Sequence, residues 1–168
     1  MYYATHYRSP LGELSIACDE THNLVGIWFK NQKYFGENML KNAIIDDNLI
    51  VFTTVKKWLD AYFSGTNPSP IPISLKTIGT PFQQDVWKRL QNIPYGQITT
   101  YGDIAKQIAK NRNLSSMSAQ AVGNAIAHNP IAILIPCHRV IAANHTLAGY
   151  AGGIEKKQAL LTLENIKI

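Results

Sequence analysis

Apolar and polar positions alternate early in the chain. Leu14, Ile16 and Cys18 are spaced by two, and so are Val25, Ile27 and Phe29. A period of two puts one set of side chains on one face of a sheet, so each run predicts a half-buried strand. Ser9-Pro10-Leu11-Gly12 and the segment Asp19 to Asn23 supply the turns. The period then changes. Leu49, Phe52, Val55, Leu59 and Phe63 recur every three to four residues, which predicts an amphipathic helix ended by Gly65. Prolines at 68, 70, 72 and 81 exclude a helix or central strand across the next stretch. That stretch reads as a surface linker. It divides a small α/β region, 1–79, from a second region, 80–168.

The second region is patterned for helices. Thr80 is placed to cap a helix with Pro81 in its first turn, and Phe82, Val86, Trp87 and Leu90 line one side. Pro94 and Gly96 stop it. Thr100 and Asp103 resemble a capping box ahead of the stripe Ile104, Ala105, Ile108 and Ala109. A polar connection, "NRNLSSMS", leads to "SAQAVGNAIAHNP", a helix capped by Ser118 and stopped by Asn129-Pro130. The pair has a helix-turn-helix shape. Its second helix is built of small residues, including Ala119, Ala121, Gly123, Ala125 and Ala127. A glycine in a helix interior costs about 1 kcal/mol relative to alanine. Two readings stay open: close packing in the core, or a slim recognition helix that fits a narrow groove.

Charge adds to this picture. The chain has 168 residues and a formal net charge of +5. Residues 1–79 hold 7 Lys and Arg against 7 Asp and Glu, whereas residues 80–168 hold 9 against 4. The excess is confined to the second half, which suits a half that faces a polyanion. A hydrophobic content of 46% supports a core and argues against disorder. No apolar run reaches the roughly 18 residues of a membrane span. The opening "MYYATHYRSP" has no signal-peptide pattern. Two cysteines, Cys18 and Cys137, are too few for a disulfide scaffold and fit a reducing cytoplasm.

The chemistry concentrates around "NPIAILIPCHRVI", residues 129–141. Cys18 reads as a small core residue. Cys137 follows the apolar run Ile131–Ile135 and Pro136, which fixes the backbone just before it. His138 and Arg139 offer positive charge that favours thiolate; an isolated thiol, with a pKa of about 8.5, is mostly protonated at neutral pH. On a strand, His138 and Cys137 point to opposite faces, so a water or a bend at Pro136 is needed to link them. Glu164, near the end of the last helix, is either the group that orients the imidazole or a tolerated surface acid. "LAGYAGGIEKK" offers close backbone approach just before that helix but lacks the lysine and spacing of a phosphate loop. An inert buried Cys137 is the competing reading.

"PCHRVI" at 136–141, "GYAGG" at 149–153 and Glu164 resemble the O6-alkylguanine-DNA alkyltransferase (methylated-DNA–protein-cysteine methyltransferase) family. "SPLGELSIA", "LDAYFSG", "FQQDVW", "IPYG", "TTYGDIA" and "AVGNAIAHNP" extend the resemblance over nearly the whole chain. It implies an N-terminal ribonuclease-H-like α/β domain and a mainly α, winged-helix-like DNA-binding domain. It implies single-turnover repair of double-stranded DNA, with a methyl or alkyl group moving from O6 of guanine, and from O4 of thymine, onto the protein's own cysteine. Cys137 would accept the group. His138 would act through water as the base, oriented by Glu164. Tyr101 would bond the flipped base and help turn the nucleotide out. Tyr150 and the Ala151 amide would cover the base, with Val140 and Cys137 backbone groups reading its amine. Asn129 would tie the small-residue helix to the site, and that helix, with Gly123, would enter the minor groove. Arg139 is counted among the DNA-contacting residues.

The family's usual arginine finger is replaced here by Gln120, with Arg112 as a possible substitute, and the connection 109–118 is longer than usual. Family members from animals hold a structural zinc through Cys and His; with Cys18 alone in the first half, no metal is expected, and no cofactor. The resemblance also implies a monomer. Competing classes are a non-catalytic helix-turn-helix or lesion-sensing DNA binder and a cysteine hydrolase.

Overall fold

The computed structural model describes residues 1–168. Strands β1 (Tyr2–Ser9), β2 (Gly12–Asp19) and β3 (Leu24–Phe29) form an antiparallel meander. After a short helix, α1 (Glu37–Leu40), strand β4 (Ile44–Ile45) adds to β1 in parallel, giving the order β3-β2-β1-β4. Helix α2 (Ile50–Phe63) then crosses the sheet.

The strands fall where the alternation placed them, but β2 and β3 are covered on both faces. Leu14, Ile16, Leu24, Ile27 and Phe29 enter the main core with Phe52, Val55, Leu59 and Tyr62 of α2. Ala17, Val25 and Trp28 form a second cluster on the other face, roofed by Phe35, Met39 and Leu40. A register shift between Ala17 and Cys18 explains why Leu24 and Ile27, three apart, share a face. Trp28 lies across Gly26, where a Cβ would sit 1.9 Å from the indole.

The proline-rich stretch after α2 does more than cross the surface. Leu24 donates to the Ser74 carbonyl (2.9 Å) and accepts from Lys76 N–H (2.8 Å). Ile27 of the same edge donates to Pro130 (2.9 Å) and accepts from Ala132 N–H (3.0 Å). The edge of β3 therefore carries both the linker and the segment that leads to Cys137, and a single core runs through both halves.

In the second half, α3 (Pro81–Leu90), α4 (Tyr101–Asn111) and α5 (Ala119–Ala127) start at the predicted caps. Thr80 and Gln83 complete a capping box, and Thr100 and Ser118 each accept from the amide three residues on. Helix α4 runs two residues past Ala109, so the connection to α5 is shorter than the 109–118 reading. Trp87 Nε1 of α3 donates to the Ala125 carbonyl of α5 (2.8 Å). A two-residue parallel ladder joins β5 (Thr99–Thr100) to β6 (Val140–Ile141), and α6 (Ile154–Leu163) closes the chain.

Candidate active site

The run Ile131–Ile135 is buried apart from the half-buried Leu134, but it is a tight turn and not a strand. Its Ile133 has φ 71°, a left-handed conformation that strains a β-branched residue by about 1–3 kcal/mol. Burial and the ladder to β3 hold it there. Asn129 braces the turn: its Nδ2 donates to the Ile135 carbonyl (2.8 Å) and its Oδ1 accepts from Ile131 N–H (3.1 Å).

The chain then enters a 3-10 turn, Cys137–Arg139. With three residues per turn, successive side chains point about 120° apart. This replaces the strand alternation expected for Cys137 and His138. Cys137 faces a cavity of about 650 Å³. His138 is buried and directs Nε2 to Glu164 Oε2 (2.6 Å). Arg139 Nε and Nη2 bond Glu164 at 2.8 and 3.2 Å, Nη1 donates to the Ile93 carbonyl (2.7 Å), and the guanidinium lies over Tyr95. Arg139 borders a separate groove under the linker and does not line the cavity. Its expected place among DNA contacts is therefore corrected to an interior ion pair.

Glu164 is the C-cap of α6 and is buried, so the surface-acid reading fails. Burial alone would raise its carboxyl. Hydrogen bonds from His138, Arg139 and the Gly96 amide outweigh this and hold it at about 2. An ionised Glu164 requires a proton on His138 Nε2. Burial lowers the imidazole below its ordinary value, so the ring is neutral and Nδ1 carries a lone pair. Nδ1 is buried and has no hydrogen-bond partner.

The cation that acts on the sulfur is Lys157 of α6, not His138 or Arg139. Burial pushes the Cys137 thiol up; Asn129, Lys157 and Tyr150 oppose that rise. The buried Lys157 ammonium donates to the carbonyls of Ala148 (3.1 Å) and Gly149 (3.2 Å) and to the Tyr101 hydroxyl (3.3 Å). Desolvation lowers it to about 8. Tyr101 in turn donates to the Ala148 carbonyl (2.7 Å), and burial raises its phenol to about 12. The loop that holds Tyr150 and Ala151 is thus pinned by a lysine and a tyrosine.

Tyr101, Gly123, Gln120, Tyr150 and Ala151 share the cavity wall with Cys137. Val140 lies just behind, tied into the ladder with Thr99. Helix α5 buries Val122, Ala125 and Ile126 and turns Ala119, Gln120, Ala121 and Asn124 outward. A Cβ at Gly123 would meet the Tyr101 ring at 3.6 Å, an ordinary contact, so packing alone does not demand glycine there. Arg112 pairs with Asp85 (3.3 Å) and lies over Phe82, and it does not line the cavity.

The first half, which offered no chemistry in its sequence, contributes to this site. Tyr62 of α2 donates to Glu164 Oε2 (2.6 Å). Phe29 packs edge-on against Tyr150, and Lys33 reaches the cavity and donates its amide to the Ala151 carbonyl (3.0 Å). Two signals were present. Tyr62 lies on the buried stripe three residues after Leu59, where its hydroxyl needs a partner. Lys157 shares a helical stripe with Leu160, Leu161 and Glu164.

Two family models match the chain. The 6-O-methylguanine DNA methyltransferase ribonuclease-like domain matches residues 1–77, and the DNA binding domain of the same family matches residues 81–166. A methylated-DNA–protein-cysteine methyltransferase of Haemophilus influenzae is 38% identical over 98% of this chain and 87% of its own. One from Methanosarcina acetivorans is 41% identical over 98% of both. The solved structure of Mycobacterium tuberculosis OGT in complex with DNA superposes with a TM-score of 0.80 at 39% identity, covering 97% of this chain and 91% of that one. The fold is the ribonuclease-like domain joined to the DNA-binding domain, and the chain belongs to the 6-O-methylguanine DNA methyltransferase family.

Proposed function

We propose that this protein repairs alkylated DNA by moving the alkyl group from O6 of guanine onto Cys137, once per molecule. The observation that carries the reading is the placement of a single thiol in the wall of a 650 Å³ cavity, beside a buried His–Glu pair with one unsatisfied ring nitrogen. The volume lies within the range of about 300–1,000 Å³ typical of small-ligand sites. Such a cavity suits a base that has left the stack, because chemistry at O6 cannot occur inside a duplex.

The steps follow from the groups present. A water between Cys137 Sγ and His138 Nδ1 passes the thiol proton to the imidazole, and Glu164 stabilises the imidazolium. The thiolate attacks the alkyl carbon. The S–C bond forms as the C–O6 bond breaks, and its electron pair leaves with guanine, which takes up a proton to complete the normal base. The thioether is not cleaved, so the reaction ends there. The Tyr101 hydroxyl faces the base's ring edge, with Tyr150 and the Ala151 amide over it and backbone groups of Val140 and Cys137 at its amine. O4-alkylthymine is a second substrate.

Helix α5 enters the minor groove with its outward slim face, where Gln120 stands at the cavity rim. Asn129 links that helix to the turn bearing Cys137. Shape-based minor-groove binding lets lesions be found in any sequence. The domains divide near residue 80. The protein acts as a monomer in the cytoplasm, where its two free cysteines stay reduced.

Intact mass before and after incubation with an O6-methylguanine duplex tests the reading. One methyl adduct per molecule, on Cys137, is expected. An unchanged mass would mean a lesion sensor or regulator. Repaired DNA without an adduct would mean a hydrolase.

A further inference from the structure

The Glu164 carboxylate serves both the base and the ion pair of the site, and one of its ligands comes from outside the DNA-binding half. We infer that Tyr62 is a positioning residue for alkyl transfer: its hydroxyl shares Glu164 Oε2 with the imidazole of His138 and so sets how strongly that carboxylate acts on the base. The inference rests on the proposed function and adds a residue of the ribonuclease-like domain to the reaction.

The geometry is specific. Tyr62 Oη donates to Oε2 at 2.6 Å, and His138 Nε2 donates to the same oxygen at 2.6 Å. The two donors are 3.4 Å apart. Both hydrogens point at Oε2, because the carboxylate is ionised and each donor has one proton. The phenol has no freedom to turn away. Its ring is fully buried, stacked on Trp58 at 5.5 Å with an 8° interplanar angle, and flanked edge-on by Tyr95 and His138. Burial and the adjacent carboxylate raise the phenol far above its ordinary value, so it stays a donor at every working pH.

The groups that act on His138 can all be named. Its own turn supplies Cys137 and Arg139. The end of α6 supplies Glu164, and its body supplies Lys157. Helix α2 supplies Tyr62, and the loop after α3 supplies Tyr95, beside Glu164 and Arg139. Among these, Tyr62 and Arg139 draw charge from Oε2 without exchanging a proton with the base. Removing the phenol hydroxyl leaves more negative charge for the imidazole, which favours imidazolium. More of the base is then already protonated at mildly acid pH and cannot accept the thiol proton. Because thiol and imidazole titrate together, the acid limb belongs to the pair.

The test is the single-turnover rate of alkyl transfer from an O6-methylguanine duplex, followed from about pH 5.5 to 9 in the full chain. Tyr62→Phe should move the acid limb up by about half to one pH unit, equivalent to about three- to tenfold slower transfer below the limb. The alkaline plateau should stay within about twofold. Trp58→Phe disturbs the same packing while keeping the hydroxyl; it should lower Tm and leave the limb in place. If Tyr62→Phe lowers the plateau but leaves the limb on the wild-type curve, Tyr62 is merely structural and the inference is overturned. A wild-type protein that takes no alkyl group overturns the functional reading instead, so the two failures are distinct.

Discussion

Cys18 and Cys137 are the same residue in the same state, free and buried, with exposures of 0% and 6%. Burial raises both thiols, and it is the largest influence on each. Their surroundings then diverge. Cys18 lies within β2, paired across to Tyr3, and the nearby Asp19 and Asp46 add to the rise, taking it to about 11. Cys137 opens onto the cavity, and an asparagine, a lysine and a tyrosine oppose the rise. Burial therefore does not separate an inert thiol from a reactive one. The sign of the neighbouring charge and access to a cavity do. Backbone conformation contributes as well: the 3-10 turn sends Cys137, His138 and Arg139 in three directions, which lets one carboxylate collect the second and third while the first faces the cavity.

Exchanging which cysteine is present should break the pair completely. Cys137→Ala should abolish transfer and keep lesion binding, whereas Cys18→Ala should transfer at the wild-type rate. Stoichiometry of radiolabelled methyl transfer measures both. Any methylation of the Cys137→Ala protein would falsify the assignment.

The relay distinguishes the two sites next. His138→Ala should slow transfer by about 10²–10⁴-fold, the usual worth of a general base. Glu164→Gln should act in the same direction, and the double variant should be little worse than the poorer single one. Additive losses in the cycle would count against a shared relay. Glu164 also contributes stability. Its folded value is depressed, so the contribution is complete above the ordinary carboxyl value of 4.5 and is lost as pH falls toward about 2. Glu164→Ala leaves Arg139 buried without its charge partner and should cost about 3–5 kcal/mol. Urea melts at pH 7 and pH 3 should show the difference between Glu164→Gln and wild type shrinking at the lower pH.

Much of this was legible in the sequence, for reasons that differ by residue. The strands, α2 and the capped helices follow from periodicity and caps, which are local. Cys137 stood out from its local context and Glu164 through the family resemblance, and the structure brings them to one site through His138. The assignment of positive charge to Arg139 went astray because sequence adjacency was read as spatial adjacency, and a 3-10 turn turns neighbours apart. Tyr62 was missed because its partner lies 102 residues away, and Lys157 because one partner, Tyr101, lies 56 residues away and the others are backbone carbonyls of the loop just before α6, which carry no sequence signal. Tyr62 falls three residues after Leu59 of the α2 stripe, and Lys157 falls at helical spacing from Leu160, Leu161 and Glu164 in the last helix. A polar group on such a stripe is the sign that a long-range partner exists, although the sequence does not say which.

Lys157 offers a smaller and sharper contrast between the two thiols. Lys157→Met removes the cation that opposes the rise at Cys137 and leaves Cys18 untouched. An opposite charge within about 4–6 Å shifts a pKa by 1–3 units. The reaction of Cys137 with a small alkylating reagent should therefore slow about tenfold at pH 7, with Cys18 unaffected. The gap should narrow above pH 8, because wild-type Lys157 itself loses its proton near there. A constant ratio from pH 7 to 9.5 would show that the lysine acts only as a pin for the Ala148–Gly149 carbonyls.

Gln120 should give the smallest effect and test access alone. It is exposed on the first turn of α5 at the cavity rim. Glutamine offers a planar amide that can donate, but it is neutral and shorter than arginine. Unstacking a base costs a few kcal/mol, and Tyr101 stands nearby to share the task. Gln120→Arg should then leave both thiols equally reactive toward a small reagent, since it touches neither, while tightening duplex binding a few-fold and steepening the salt dependence by roughly one phosphate contact. Arg112→Ala should change little, because Arg112 is engaged with Asp85 and Phe82 of α3 and does not line the cavity. DNA titrations across a salt series decide between them. If Gln120→Arg is silent and Arg112→Ala collapses both affinity and slope, the connection between α4 and α5 carries the finger and the rim of the cavity does not.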